Sequence, residues 1–532
     1  MKNTTPSRIR LTPALLVVQP LDRPVIGRFS SACLVALTTL FIVTGAANAG
    51  TLYLSRLSGA GENPPTTSAA TGLGVLILND AETLATITAT HDISLPVTGG
   101  HIHRGAANVN GPVIFPFAPP VSPVGPLTWN IPAAEVGNLK NMGLYMNFHT
   151  AVNPGGAIRG QLVRALLAPA ATSGPQGRVA TALDVSAGYT AELNSILVQA
   201  NLASSATQTL ILEELSGRTI YVPARQEIEA MSSMTDSLFA RADDVRLGGA
   251  PATTSRVTPF ILAGGGFGQR PTDRNQAGST LSRPFLAAGI DCRFDEKSRG
   301  GLALGFTDAR DTFKANVGQT KTKLTSLQGF VSGELGATGV TLDAVVGYGW
   351  GKTNSTRQIS SLARTATASP SGKVWSAAIK ASKAFPLRNK TTLIPYALFD
   401  SQDAKVDAYS EAGAGAVGLV IPRLTTKNSA FEGGAALILP IAIQSGHLTA
   451  RLQAGWHYLF EEGKESVTAY LVDSPVPFTT QIAGPGNSAV HVEASLTAVM
   501  TKGLNASLSY RGMVGADRLT THAIEARIVI QL

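Results

Sequence analysis

The last residues of the chain alternate between apolar and polar side chains. From Thr521 the sequence reads T-H-A-I-E-A-R-I-V-I-Q-L. Every second residue from Ile524 to Leu532 is apolar, and Glu525 and Arg527 lie between them. Period-two alternation places the two sets on opposite faces of a β-strand. An apolar outer face with a charged inner face is typical of a transmembrane β-barrel, whose outside contacts lipid and whose lumen is polar.

Twelve segments of this kind follow one another in the C-terminal half. They are Val257–Phe267, Phe285–Phe294, Gly301–Thr307, Leu324–Leu335, Thr341–Trp350, Val374–Lys383, Leu393–Ser401, Ala430–Leu439, Leu448–Phe460, Ala489–Met500, Ala506–Val514 and His522–Leu532. Twelve is an even number, and several segments have the length that a tilted membrane strand needs. We therefore predict a 12-stranded transmembrane β-barrel over residues 255–532. Longer polar connections, such as Gln269–Ser282 and Asn354–Gly372, are expected at one of its ends.

The N-terminal half has shorter strand patterns separated by turns. They are Thr51–Leu57, Gly72–Leu78, Leu84–Thr90, Gly100–His103, Val113–Phe117, Gly143–Phe148 and Ala157–Val163. Seven short strands in about 115 residues predict an antiparallel β-sandwich of immunoglobulin-like shape over residues 50–166.

Residues 167–254 read as a linker with helices. The stretch Ala168–Gly177 is rich in Pro, Ala, Ser and Gly, and helical patterns follow over Val179–Asp184, Ala191–Ala203, Ala206–Ser216 and Val222–Leu247. The last helix has a stripe of apolar residues at 3-4 spacing: Ile228, Met231, Met234, Leu238 and Ala242. Gly248-Gly249 is expected to end it. Taken together, the fold class is all-β, with a sandwich, a helical linker and a barrel.

Composition agrees with a membrane β-barrel. The 532 residues are 44% apolar and only 15% charged, with 54 glycines, and the mean hydropathy is +0.14. No apolar run of 18 residues follows the N-terminus, which argues against helical membrane spans. Residues 251–532 carry 28 basic and 20 acidic side chains, so the positive charge lies mainly in the barrel. No basic run with interleaved aromatic residues is present, and we expect no nucleic-acid partner.

The first 49 residues have the pattern of a signal peptide. Five basic side chains lie between Lys2 and Arg28, Ala32–Val43 is apolar but too short to span a bilayer, and Ala47-Asn48-Ala49 is a small-x-small site. We predict export through the Sec translocon and cleavage after Ala49, so that the mature chain begins at Gly50. Cleavage would remove Cys33 and leave Cys292 without a disulfide partner.

Five motifs in the first domain resemble one family. They are G-E-N-P-P (Gly61–Pro65), H-I-H-R-G (His101–Gly105), N-G-P-V (Asn110–Val113), L-Y-M-N-F-H-T (Leu144–Thr150) and N-P-G-G-A-I-R-G-Q-L (Asn153–Leu162). In this order they resemble the CHRD domain, which is common in exported bacterial proteins. The resemblance implies a small β-sandwich but brings no settled biochemical activity.

Histidines are the candidate ligands of this domain. His101 and His103 are two residues apart on a predicted strand and so share a face, and His149 ends another strand. Three imidazoles are an acceptable Zn or Cu ligand set. The other interpretation is structural: the rings hydrogen-bond neighbouring backbone and brace loops such as Asn153–Gly156. We identify no hydrolase motif and no catalytic pair of residues, and expect that the protein is not an enzyme.

A second resemblance covers residues 255–532 and the helix before them. The landmarks are A-A-G-I-D (Ala287–Asp291), G-L-A-L-G-F (Gly301–Phe306), P-Y-A-L (Pro395–Leu398), Y-S-E-A-G-A-G-A (Tyr409–Ala416), G-W-H-Y-L-F (Gly455–Phe460) and L-S-Y-R-G (Leu508–Gly512). They resemble the autotransporter β-domain of type V secretion. The resemblance implies that the helix near 222–247 threads the barrel lumen. Such domains usually end in Phe or Trp, read by the barrel-assembly machinery, whereas this chain ends in Leu532.

These patterns lead to one functional hypothesis with two alternatives. The hypothesis is an outer-membrane autotransporter of a Gram-negative cell that displays the CHRD-type sandwich at the surface as a binding or adhesion module for an unknown surface ligand. One alternative is a Zn- or Cu-binding passenger with enzymatic activity. The other is an outer-membrane pore whose N-terminal domain stays in the periplasm.

Overall fold

The computed structural model describes residues 50–247, 256–272, 277–443, 447–460, 466–481, 488–499, 504–515 and 520–530. The predicted signal peptide with its cleavage site, the helix stop at Gly248-Gly249 and the C-terminal Leu532 lie outside these residues. No helix in the described part of the chain is long and apolar enough to cross a membrane.

The N-terminal domain is an antiparallel β-structure of nine strands. They are β1 (Gly50–Ser58), β2 (Thr71–Asn79), β3 (Leu84–His91), β4 (Val97–Arg104), β5 (Val113–Pro116), β6 (Val124–Asn130), β7 (Leu144–Thr150), β8 (Ile158–Gln161) and β9 (Val163–Arg164). A short helix, α1 (Ala133–Lys140), follows β6. The strand order is β5-β4-β7-β8-β1-β2-β3-β6, with β9 beside β1.

The sheet curls around one hydrophobic core. Leu76 of β2, Ile87 of β3 and Ile102 of β4 are fully buried in it, together with Met146 and Phe148 of β7. The two edge strands also approach each other across this core, because Phe115 of β5 lies 5.2 Å from Trp129 of β6 between ring centroids. The seven predicted strands are present, and β6 and α1 are additional. The strands form one continuous curled sheet, for which we keep the name sandwich.

Four helices connect this domain to the barrel: α2 (Gly174–Leu183), α3 (Ala191–Leu202), α4 (Ser205–Leu215) and α5 (Val222–Leu247). Helix α2 occupies part of the stretch that we interpreted as a linker. Ser173 caps it by accepting a hydrogen bond from the Gln176 N–H, and Pro175 lies in its first turn, where a missing N–H has no cost.

The remaining strands run from β10 to β27. They are β10 (Val257–Arg270), β11 (Ser279–Arg293), β12 (Ser298–Phe313), β13 (Gly318–Glu334), β14 (Val340–Ile359), β15 (Arg364–Ala368), β16 (Ser371–Lys383), β17 (Phe385–Pro386), β18 (Thr392–Val406), β19 (Tyr409–Ser410), β20 (Leu419–Ile421), β21 (Leu424–Ile441), β22 (His447–Leu459), β23 (Ser466–Leu471), β24 (Ser474–Gln481), β25 (Ser488–Val499), β26 (Leu504–Gly515) and β27 (Thr520–Ile530).

Twelve of these strands close into an antiparallel barrel, as predicted. The order is β10-β11-β12-β13-β14-β16-β18-β21-β22-β25-β26-β27, and β27 pairs with β10 to close the circle, with Leu262 opposite Arg527. Closure leaves no open sheet edge, which hydrocarbon would not tolerate. In β27, Ile524 and Ile528 are about half exposed on the outside, whereas Glu525 and Arg527 are buried in the lumen. The predicted strand register is therefore confirmed.

The two ends of the barrel differ. At one end, successive strands are separated by few residues, as between Arg293 and Ser298. At the other end three connections are long and carry β15, the β19-β20 pair and the β23-β24 pair. Helices α2–α4 pack on strands β19, β20, β23 and β24, and we call this assembly the cap. One hydrophobic core joins the cap to the sandwich through Leu52 and Leu54 and to the barrel through Val374.

Candidate functional site

Helix α5 lies inside the barrel, as the autotransporter resemblance implied. All five residues of its predicted apolar stripe are buried. Small residues of the wall make room for them: a Cβ atom on Gly305 would lie 2.4 Å from Cε of Met234, and one on Gly347 would lie 2.8 Å from Cε of Met231. The helix and the wall therefore fit in shape along this stripe.

The opposite sides of α5 carry charges that meet charges of the wall. Near its N-terminus, the Glu229 carboxylate accepts hydrogen bonds from Arg270, at 2.7 Å, and from Arg283. Arg225 lies 3.7 Å from Asp311. Opposite charges at such distances favour the docked position of the helix.

The last two turns of α5 make further ion pairs with the wall. The carboxylate of Asp243 lies 2.9 Å from Nζ of Lys380 and 2.7 Å from a guanidinium nitrogen of Arg451. Asp244 lies 2.8 Å from Arg527. Acidic residues of the helix are thus paired with basic residues of the barrel wall.

One helix charge has no such partner. Glu227 is fully buried, and neither of its carboxylate oxygens has a hydrogen-bond partner among the described residues. It fits against Gly351 and Gly372, since a Cβ atom on either would come within 2.2 Å of Oε1. These two glycines face each other on β14 and β16. The sequence pattern did not distinguish Glu227 from the other charges of the helix.

The helix leaves a cavity of about 260 Å³ on one side of the lumen. Its lining is largely apolar but includes the titratable side chains Asp236, Asp400, Glu432, His457, His491 and Arg511. Among these, His491 hydrogen-bonds through Nδ1 to Glu432 at 2.9 Å. The lumen is therefore occupied by α5 without being completely filled.

The predicted histidine site also comes together, in the sandwich. In the pairing of β4 with β7, Gly99 lies opposite His149, His101 opposite Asn147, and His103 opposite Tyr145. All of these residues point to the same face of the sheet, because cross-strand partners share a face. The ring centroids of the three histidines are 5.1 to 5.9 Å apart. His91 is not part of this group and packs against Phe148 instead.

Two of the three rings are held by backbone carbonyls. His103 Nδ1 lies 3.0 Å from the Gly111 carbonyl oxygen, and His149 Nδ1 lies 2.9 Å from that of Pro154. Each Nδ1–H donates this bond, so each Nε2 carries a free lone pair. The Pro154 contact braces the loop Asn153–Gly156, as the structural interpretation expected.

Two charged residues that sequence reasoning did not select lie beside the histidines on this face. Glu62 accepts a hydrogen bond from Asn147, at 3.3 Å. Arg159 stacks on the Tyr145 ring and donates to the carbonyl oxygens of Ala106 and Val109. The available signal was their position inside the G-E-N-P-P and N-P-G-G-A-I-R-G-Q-L motifs.

Burial shifts the pKa values of titratable side chains on this face. It raises the pKa of Glu62 to about 7, against the lowering effects of Arg159 and of the Asn147 hydrogen bond. Burial also lowers the pKa of His101 and of His103, and the nearby His149 adds to the lowering in both. The rings of His101 and His103 are therefore kept neutral at neutral pH, which is the form that can bind a metal.

The fold and the helix in the lumen define an outer-membrane β-barrel with an internal helix and an N-terminal β-domain. Residues 260–511 match the autotransporter β-domain family, and residues 53–162 match the CHRD domain family. The protein is thus an autotransporter-type outer-membrane protein with an N-terminal CHRD domain.

Solved structures of similar fold include autotransporter translocator domains. That of the autotransporter NalP from Neisseria meningitidis is 16% identical, with a TM-score of 0.47 and coverage of 59% of this chain and 99% of its own. The β-domain of the Bordetella autotransporter BrkA is 17% identical, with a TM-score of 0.39 and coverage of 52% and 100%. The transport unit of AIDA-I from Escherichia coli is 12% identical, with a TM-score of 0.35 and coverage of 56% and 97%. No curated protein matches the chain significantly.

Proposed function

We propose that the barrel anchors the CHRD domain at the outer surface of the cell, where the domain acts as a binding or adhesion module. The observation that carries this proposal is the asymmetry of the barrel ends. Barrels of the outer membrane have short turns on the periplasmic side and longer loops outside. The sandwich packs on the cap, which is built partly from the long connections. This arrangement supports an external location for the sandwich.

The helix inside the lumen supports surface display of the CHRD domain and argues against an open pore. Helix α5 fits the wall through its apolar stripe and pairs its charges with wall charges from Arg270 to Arg527. In this proposal the chain enters the periplasm through the Sec translocon, is cleaved after Ala49, and inserts with the help of the barrel-assembly machinery. The helix then remains in the pore as the connection to the external domain. We expect that the CHRD domain binds a surface ligand and catalyses no reaction.

Surface labelling of intact cells tests the proposal directly. An antibody against residues 50–164 should label intact cells as strongly as permeabilised cells, while an antibody against a periplasmic protein labels only the latter. Labelling of the CHRD domain only after permeabilisation would contradict display and favour a periplasmic domain.

A deletion tests the role of the helix. Removing residues 223–246 should leave the barrel in the outer membrane, but either the domain is no longer labelled on intact cells or the cells become sensitive to large antibiotics. A substitution of Leu210, which is exposed on α4, to Ala serves as the control and should change neither property. Normal labelling with unchanged permeability in the deletion strain would refute a role for α5 in the pore.

A further inference from the structure

We propose that His101, His103 and His149 bind one transition-metal ion, Cu or Zn, on the polar face of the CHRD domain. One candidate ligand atom from each residue lies within 4.8 Å of the other two. Ligand nitrogens around one tetrahedral ion are about 3.3 Å apart, as follows from metal–nitrogen bonds of about 2.0–2.1 Å. Small rotations of the three rings cover this difference.

The hydrogen bonds of the rings orient them for a metal. In metal sites, a ligating histidine usually donates its other N–H to a carbonyl or carboxylate, which fixes the tautomer and aims the free nitrogen. Gly111 does this for His103, and Pro154 does it for His149. Both carbonyls belong to loops, and these loops carry the N-G-P-V and N-P-G-G motifs.

A purely structural role of the three histidines would leave one nitrogen atom of each ring without a hydrogen-bond partner. His101 Nδ1, His103 Nε2 and His149 Nε2 are all buried and have no hydrogen-bond partner among the described residues. An unpaired buried polar atom is costly, and each of the three clustered histidines has one. A metal ion accepts all three lone pairs at once.

The ligand type selects the class of metal. Imidazole nitrogen suits Zn and Cu, whereas Mg and Ca require carboxylate and carbonyl oxygens. The carboxylate of Glu62 is hydrogen-bonded to Asn147 and is not part of the histidine cluster. His101 and His149 are partly exposed, so an ion can enter from solvent.

The five CHRD motifs lie close together around this face, which supports a shared role in forming the metal site. Asn63 donates to the Asn108 carbonyl, and Asn110 donates to the Asn63 carbonyl. Arg159 donates to the Asn110 side chain. The five motifs that identify the CHRD domain thus contribute the histidines, their carbonyl acceptors or the contacts that hold these loops.

Metal content of the full-length protein tests the proposal. The protein is purified from outer membranes in detergent, exposed to Cu or Zn, desalted and analysed by mass spectrometry. We expect about one equivalent of metal per chain, and a large loss in His103→Gln and in His149→Gln. The control His91→Gln, in the same domain but outside the cluster, should retain the metal.

A spectroscopic measurement keeps the test independent of the folding of the variants. The Cu(II) form of the wild-type protein should show electron paramagnetic resonance coupling to imidazole nitrogens, and competition between the two ions tells which binds more tightly. Substoichiometric content of both metals in the folded wild-type protein would overturn the proposal. So would metal content that is unchanged in both cluster variants.

Discussion

At the scale of single residues, apolar side chains of the barrel wall lie on its outer face and charged side chains lie in the lumen. Ile524 and Ile528 are exposed on the outside of β27, while Arg527, between them, is 2% exposed and pairs with Asp244 of the internal helix. A charge on the outer face would have to enter hydrocarbon. The same charge in the lumen meets polar partners.

The first prediction concerns the outer face. Ile524 lies near the middle of β27, and Ile524→Lys should destabilise the inserted barrel by roughly 2–4 kcal/mol, whereas Ile528→Lys, nearer the strand end, should cost less. Outer-membrane levels and the temperature at which the barrel loses its compact gel mobility measure the effect. The control is Ile524→Ala, which keeps the face apolar. Equal levels of Ile524→Lys and wild type would mean that this face does not contact lipid.

The second prediction concerns Glu62. Its folded-state pKa of about 7 lies above the ordinary value of 4.5, so the folded domain binds more protons than the unfolded chain between these values. The stability contributed by the protonated form is fully present below pH 4.5 and is lost as the pH rises through 7. Glu62→Gln removes this loss and should stabilise the domain at pH 8 by up to roughly 3 kcal/mol.

Pulse proteolysis of the full-length protein in urea, with detection of the N-terminal domain, measures this stability at pH 5 and pH 8. Comparing wild type with Glu62→Gln cancels the contribution of His101 and His103, which is common to both. The same change between the two pH values in both proteins would contradict an elevated pKa of Glu62.

At the scale of elements, the barrel strands were predictable and several other elements were not. Each barrel strand has one lipid face and one lumen face, and this alternation is visible in the sequence. Strand β6 was missed because Gly125-Pro126 reads as a turn, although an edge strand tolerates proline. The outer part of β14, Gly351–Ile359, was missed because it is largely polar on both faces.

The residues of the candidate histidine site were likewise only partly predictable from the sequence. The H-x-H spacing identified His101 and His103, and the position at the end of another predicted strand identified His149. Glu62 and Arg159 could not be selected, because their place depends on how loops and strands β7 and β8 come together. The cap was also not foreseen, since its core combines residues from three distant parts of the chain.

The third prediction concerns the charges of helix α5. Asp243→Asn removes the carboxylate that Lys380 and Arg451 share in the lumen. Breaking a buried ion pair from one side should cost on the order of 3 kcal/mol. We expect a lower temperature of barrel unfolding on gels.

Asp236→Asn is the matched control for this change. The Asp236 side chain is 38% exposed and pairs with Arg511, so its loss should cost clearly less. An equal effect of the two substitutions would show that burial of the pairs does not determine how firmly the helix is held.

At the scale of the whole molecule, the cap makes the sandwich and the barrel one packed body. Glu214 of α4 accepts hydrogen bonds from the N–H groups of Ser360 and Ser361 at 3.0 and 3.1 Å. Arg357 of β14 donates to the Glu214 carbonyl at 2.6 Å. Helix α4 of the cap is therefore held on the barrel by specific hydrogen bonds.

The fourth prediction concerns these contacts between α4 and the barrel. Glu214→Ala leaves two N–H groups without their acceptor and should weaken the cap by about 2 kcal/mol. Protease cleavage within residues 165–221 should become faster, while the barrel remains intact. Glu192→Ala, which removes a 44% exposed partner of Arg364, should change little. Unchanged cleavage in Glu214→Ala would indicate that the cap is held by its apolar core alone.

The ion pairs along α5 also have a mechanical consequence. A helix of 26 residues is about 39 Å long, and its wall contacts run from Arg225 near one end to Arg246 near the other. If the N-terminal domain is displayed as we propose, a force that pulls it away from the cell acts along the helix axis and loads these contacts in shear. Many contacts then share the load at the same time and do not open one after another. The helix is thereby suited to hold a tethered domain against fluid drag.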